Sequence, residues 1–432
     1  MNNFQTILVA VFVAFFVFAV LIFSGFIKIG DKKTGIITGK VVVWGTFPDS
    51  YVKNTIDKIV SDNKNVSVSY KKKNIETYQQ DLIEAFAEGK GPDLFIITPD
   101  MIVRNNNFIY KIPYASYPSK VFTDSFIDGA NIYLDSEGIV GMPLLVDPMV
   151  LYYNKDILSN EGIVSPPTTW DELFNLNSIL TQKQNDGTIN RSMIALGQYD
   201  NVTNAKDILA TLLIQNDNPM TKKDTTGYVS TLNDNPLNYE ISPIEAVLKF
   251  YIEFSNPSNT AYSWNRSFSS SFDMFTGGKL AFYIGRASEL FSIQTVNPNL
   301  SFDVTKIPQI KNAKNKKTYG EIYAVVVNKK SSNVTGAFQV ASELSKSDNA
   351  KTLSVQASLP PASRSLLAEK PENPYLFSFF DSAIVSRSWL DPDKIKSDLV
   401  FKELIDNILS NRLSLGQAVN KAQGQLDLLF KK

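Results

Sequence analysis

Short strand-like runs separated by helical stretches constrain this chain more than any other feature of its sequence. Residues 40–44 (KVVVW) form an apolar, β-branched run without alternation, as a strand buried on both faces requires. Residues 51–60 follow with amphipathic spacing, then a second strand at 66–70 (VSVSY). A helix is expected over 76–88, where Tyr78, Leu82 and Phe86 recur every four residues. Gly89 and Gly91 stop it, Pro92 starts a turn, and 93–98 (DLFIIT) reads as a third strand. Strands alternating with helices predict an α/β fold with a parallel sheet and right-handed crossovers.

At 432 residues, 44% of them hydrophobic, the chain can bury a large core and fits one very large domain or two ordinary ones. Lys+Arg and Asp+Glu both number 43, so no overall field points to nucleic acid. The lysines at 71–73 and 314–317 read as solvated loop or strand ends. With no Cys and no His, the sequence excludes disulfides, thiol nucleophiles, Cys/His zinc sites and Ser-His-Asp relays. Neither catalysis nor a cofactor or metal is expected.

Residues 7–27 run without a charge, and 21 helical residues at ~1.5 Å each reach ~30 Å, the hydrocarbon thickness of a bilayer. Residues 1–29 are therefore expected to be a single-pass membrane anchor. Ser24 and Gly25 follow Ile22 and Phe23 instead of completing a small-x-small site, so the segment is expected to stay uncleaved. Lys28, Lys32 and Lys33 after the span argue by the positive-inside rule for a cytoplasmic flank, but a long folded domain is translocated largely regardless of such charges. Residues 30–39 (GDKKTGIITG) read as a linker that lifts an extracytoplasmic soluble part off the membrane.

Several motifs then occur in order. Gly89-Lys-Gly91-Pro92-Asp93 precedes an apolar strand, and 138–172 reads GIVGMPLLVDPMVLYYNKDILSNEGIVSPPTTWDE. Phe275-Thr-Gly-Gly-Lys-Leu-Ala281 precedes another strand; 320–328 (GEIYAVVVN) and 359–364 (LPPASR) come later. Together they make the chain from residue 40 onward resemble the family-1 extracellular solute-binding proteins of ATP-driven (ABC-type) importers, the group that includes maltodextrin-binding protein. The likeness is weakest over 200–262.

The resemblance implies a two-lobed, type II periplasmic-binding-protein-like clamp with discontinuous lobes. Lobe one would comprise 40–146 and 327–368, and lobe two 147–326 and 369–432, with three hinge crossings near Asp147, Val326 and Glu369. It also implies capture of a small ligand, a sugar or oligosaccharide, by lobe closure. The expected partners are the permease subunits of an importer and the membrane, with the protein itself a monomer. Two alternatives stay open: an anchored glycan sensor or adhesin of the same fold, and a glycoside hydrolase using Asp100 and Asp147.

In α/β sheets ligands lie beyond the carboxyl ends of the strands. That rule selects Thr46 and Asp49 after the first strand, Asp100 after the third, and Asp147 after the apolar run 142–146. Asp100 reads as a ligand contact or a solvated turn, Asp147 as a ligand contact or a hinge residue. Tyr199, Arg286, Tyr319, Glu321 and Trp389 are the candidates from the second lobe, Trp389 foremost among the rings. Ile97 and Met101 stand where maltodextrin binders are more polar or aromatic, which leaves the sugar undefined. Other residues read as structural: Trp44 as core, Asp93 as a turn, Thr169 and Glu172 as a capping box, Arg364 as a loop anchor paired to a carboxylate, and Tyr152 and Tyr153 as packing on opposite faces of a strand.

Overall fold

The computed structural model describes residues 38–225, 227–235 and 238–431. The expected anchor and most of the linker lie outside them. Among the described residues no helix is long and apolar enough to cross a membrane.

A ten-stranded sheet organises the molecule. Its order is Val66–Lys72, Gly39–Gly45, Leu94–Ile97, Thr318–Val327, Met142–Asn154, Leu280–Arg286, Ile189–Ile194 and Gln182–Lys183. Phe302–Lys306 joins Met142–Asn154, and Ser386–Arg387 joins Thr318–Val327. Gly39–Gly45 pairs in parallel with both Val66–Lys72 and Leu94–Ile97, as the strand-helix alternation predicts. Elsewhere the sheet departs from an all-parallel design: Thr318–Val327 runs antiparallel to Leu94–Ile97 and to Met142–Asn154. The reason is that late segments of the chain return to the middle of the sheet rather than to its edge.

Two long strands carry the chain from one end of the sheet to the other. Met142–Asn154 is buried at every residue but Tyr153. Its first half pairs with Thr318–Val327 as far as Pro148, opposite Gly320. From Met149 onward its partners are Leu280–Arg286 on one side, and from Val150 Phe302–Lys306 on the other. Proline has no N–H for a ladder, and Pro148 stands where the partners change. Thr318–Val327 changes partners likewise, from Ser386–Arg387 at Thr318 and Tyr319 to Leu94–Ile97 at Ala324 to Val327. The strands pass closely here: a Cβ on Gly320 would lie 2.7 Å from Ser386 Oγ.

The helices cover the sheet through the apolar spacings seen in the sequence. Asp49–Asp62 buries Val52, Ile56 and Ile59, and Tyr78–Ala87 buries Tyr78, Leu82 and Phe86. Asp93 is a structural residue, but its carboxylate reaches across the fold instead of closing a local turn: it accepts from the Val42 N–H at 2.8 Å and the Ser331 hydroxyl at 2.6 Å. Arg364 pairs with Asp128, and Trp44 is buried with the Lys73 ammonium 3.9 Å from its ring centre. The expected capping box at Thr169 is shifted by one residue. Glu172 accepts the Thr168 N–H at 2.7 Å, while Thr169, the N-cap, makes no side-chain capping bond.

Candidate functional site

The loops that follow the parallel strands Gly39–Gly45 and Leu94–Ile97 open into a cavity of about 150 Å³. Thr46, Asp100 and Arg104 line it from this side, Glu321 from the long strand Thr318–Val327, and Lys394 and Ile395 from the start of helix Lys394–Leu409. A second cavity of about 570 Å³ lies on the far side of Lys394 and Ile395, which line both. Tyr199, Asp207 and Arg286 belong to this second space.

A chain of ion pairs separates the two. Arg286 donates through Nε to Asp207 at 2.9 Å and also pairs with it through Nη2, while its Nη1 lies 2.7 Å from Glu321. The other Glu321 oxygen accepts from Lys394 Nζ at 2.5 Å. Burial alone would raise the Glu321 carboxyl, but Arg286 and Lys394 override it and hold the group well below the usual carboxylate range. Burial would lower the Lys394 ammonium, and Glu321 more than reverses that. Arg104 reaches Asp393 at 3.5 Å, joining the helix after Leu94–Ile97 to the N-cap of Lys394–Leu409.

Asp100 stands apart from this network. One of its oxygens accepts the Thr98 hydroxyl at 2.5 Å, and no cation lies within ion-pair distance of it among the described residues. Burial raises its carboxyl; Lys394 opposes that, and Glu321 and Asp391 add to it.

The structure divides the residues predicted from the sequence. Thr46, Asp100 and Glu321 meet in the first cavity; Tyr199 and Arg286 line the second, the Tyr199 hydroxyl donating to Asp398 at 2.7 Å. Asp49 is exposed at the start of its helix and lines neither. Tyr319 is buried, with its N–H on the Thr211 hydroxyl at 3.3 Å, and also lines neither. Trp389, chosen as the foremost ring, is 3% exposed and packs edge-on against Phe401 as core. Asp147 is 2% exposed and outside both cavities, because its strand does not end at Val146 but runs on to Asn154. Its carboxylate accepts the Ser288 N–H at 2.9 Å and hydroxyl at 2.6 Å. Burial pushes it up to about 6, against the pull of Arg286 and Ser288.

Arg104, Asp207 and Lys394 escaped the sequence reading. Arg104 lies four residues after Asp100 and so falls on the same side of a helical turn, a spacing that was visible. The segment 390–394 (LDPDK) carries a helix-start signal that would have located Lys394 at a helix N-terminus, though not at the cavity.

Comparison with known proteins accords with this architecture. The sequence profile of the family described as bacterial extracellular solute-binding protein matches residues 54–375. Among solved structures, a cyclic alpha-maltosyl-1,6-maltose binding protein from Arthrobacter globiformis superposes with a TM-score of 0.74 at 15% identity, over 91% of this chain and 99% of that one. The sugar-binding protein MalE from the phytopathogen Xanthomonas citri gives 0.73 at 16% identity, over 91% and 98%. A cyclo/maltodextrin-binding protein complexed with maltotetraose gives 0.71 at 17%, over 90% and 96%. At such identities the likeness is one of fold, whereas the family match spans most of the chain. The chain belongs to the bacterial extracellular solute-binding proteins and is a binding protein, not an enzyme.

Proposed function

We propose that this protein captures a sugar or oligosaccharide between two lobes and delivers it to an ATP-driven importer, held at the membrane by residues 7–27. The observation that carries this reading is the first cavity. Its walls come from segments far apart in sequence, Thr46 and Asp100 against Lys394 and Ile395, and Arg104 and Asp393 pair across it. Polar groups aimed into such a space suit hydroxyl-rich solutes. The structural neighbours with bound or named sugars support the same class of ligand.

In this proposal lobe one comprises 40–146 and 321–368 and lobe two 147–320 and 369–432, the boundary expected at 326 and 327 moving to 320 and 321. The first crossing lies at Asp147 and Pro148, where the Met142–Asn154 strand changes partners, and the third near Glu369. The second is better placed at Gly320 than near Val326, since Val326 is paired with Phe95 inside the sheet. A ligand touching both lobes binds the closed form more tightly and draws the equilibrium toward it. Small-angle scattering with and without a saccharide found by thermal-shift screening tests the clamp; an unchanged radius of gyration in a demonstrably saturated sample would count against it. The uncharged run at 7–27 motivates the anchor, and a mature N-terminus at Gly25 or Gly30 would remove it.

A further inference from the structure

The charges of the two cavities balance differently. In the second, three carboxylates stand among four cations, and every ionic side chain but Asp398 has a charged partner: Asp200 with Lys402, Lys206 with Asp391, Asp207 with Arg286 and Lys394 with Glu321; Asp398 has the Tyr199 hydroxyl. The first is lined by four carboxylates, Glu76, Asp100, Glu321 and Asp393, against the two cations Arg104 and Lys394. Both cations are committed, Lys394 to Glu321 and Arg104 to Asp393, and Asp393 also holds Lys396 at 3.2 Å. Asp100 and Glu76 remain without a cation among the described residues. Among the described residues one Asp100 oxygen has no hydrogen-bond partner, and the other accepts from the neutral Thr98 hydroxyl.

The cavity is also poor in the flat surfaces that a neutral glucan needs. All four tryptophans are buried, from Trp264 at 0% to Trp44 at 8% exposure. The lining rings are Tyr78, buried with its hydroxyl on the Trp44 carbonyl at 3.0 Å, and Tyr323, stacked at a tilt on Phe47. In place of a ring platform, the exposed side chains of Ile75 and Ile395 stand at the lining.

We infer that the solute is a saccharide carrying a protonated amine, its ammonium seated against Asp100; this rests on the proposed saccharide-binding function. Asp100 is half-buried, and when a ligand closes over it and removes its water, a carboxylate without a cation is costly; a sugar hydroxyl supplies a hydrogen bond but no charge. An ammonium supplies both, in the charge-assisted geometry that makes such bonds the strong ones. Glu76, at the same wall, adds attraction for an incoming cation, and Ile75 and Ile395 provide apolar surface for the C–H faces of a ring.

Calorimetric titration of the full-length chain in detergent micelles tests the inference. The probes are glucosamine and its β-1,4-linked dimer and trimer, their N-acetylated counterparts, maltotriose, and putrescine as an amine without a ring. The free-amine saccharides should bind about tenfold or more tightly than the N-acetylated ones, the effect of one bond to a charged group. Asp100→Asn should collapse that ratio with its thermal melt intact, whereas Asp49→Asn, exposed and outside the cavity, should preserve it. Equal or tighter binding of the N-acetylated sugars or maltotriose would overturn the amine inference and leave the saccharide function standing. Binding of putrescine with no saccharide would overturn both, and so would the absence of binding by every probe.

Discussion

Asp147→Asn separates the two roles that the sequence left open for this residue, and the structure gives the sign of the effect. The Asp147 carboxyl titrates at about 6 in the fold against 3.8 in an unstructured chain. Between those values the native protein keeps a proton that the unfolded chain has released. Stability therefore falls as pH rises through this window and does not recover above it. A tenfold change in proton affinity corresponds to about 1.4 kcal/mol, so the ionised side chain costs about 3 kcal/mol at pH 8 relative to the neutral one. Asparagine mimics the neutral form and keeps an acceptor for the Ser288 N–H, but it gives up the attraction to Arg286. The variant should be more stable than wild type by about 1–3 kcal/mol at pH 8, with the difference vanishing near pH 4. Urea unfolding at several pH values measures this. Because Asp147 lines neither cavity, affinity for the solute should not change. A variant destabilised at pH 8 would refute the electrostatic reasoning, and weakened binding with intact stability would return Asp147 to the ligand site.

Two further substitutions probe the crossing strands. Arg286→Met removes three donated bonds, strands the buried Asp207 and leaves Glu321 with Lys394 alone, so unfolding free energy at pH 7 should drop by about 3–5 kcal/mol; a loss below about 1 kcal/mol would show that the network is dispensable. Gly129→Ala would place its Cβ 2.3 Å from the Ser386 carbonyl oxygen, a backbone atom that cannot swing aside, and should cost about 1–3 kcal/mol or more in a thermal or urea melt; wild-type stability would mean that the Ser386–Arg387 strand moves freely.

What the sequence disclosed, and what it hid, follows from the range over which each signal acts. Tyr78, Leu82 and Phe86 announce their helix because the period is local, and Asp100 falls at the first cavity because Leu94–Ile97 ends where its apolar run ends. The same rule misplaced Asp147. The run at 142–146 does not end a strand there, and nothing nearby shows that Asp147 and Pro148 are carried inside it. The burial of Trp389 was hidden for another reason: a large ring serves a core as well as a binding face, and its packing on Phe401 depends on a helix that follows it in the chain.

The ion network was hidden most completely, since it joins Asp207, Arg286, Glu321 and Lys394 through tertiary structure alone. Its composition explains the behaviour of its neighbours. Asp147 and Glu321 stand directly opposite each other on adjacent antiparallel strands, where like charges repel. With Asp100 and Asp207 they make four carboxylates around two cations, Arg286 and Lys394. Buried pairs of this kind contribute little net stability, because desolvation offsets most of their attraction. An apolar cluster would hold these strands together at least as well, so stability alone does not account for the charges. Of these carboxylates Glu321 and Asp100 line the first cavity, while Asp207 lines the second and Asp147 neither. Burial keeps a proton on Asp147 up to about 6 against the pull of Arg286 and Ser288, with a smaller push from Glu321, and the same Glu321 stands with Asp100 at the cavity that the proposed ammonium would enter.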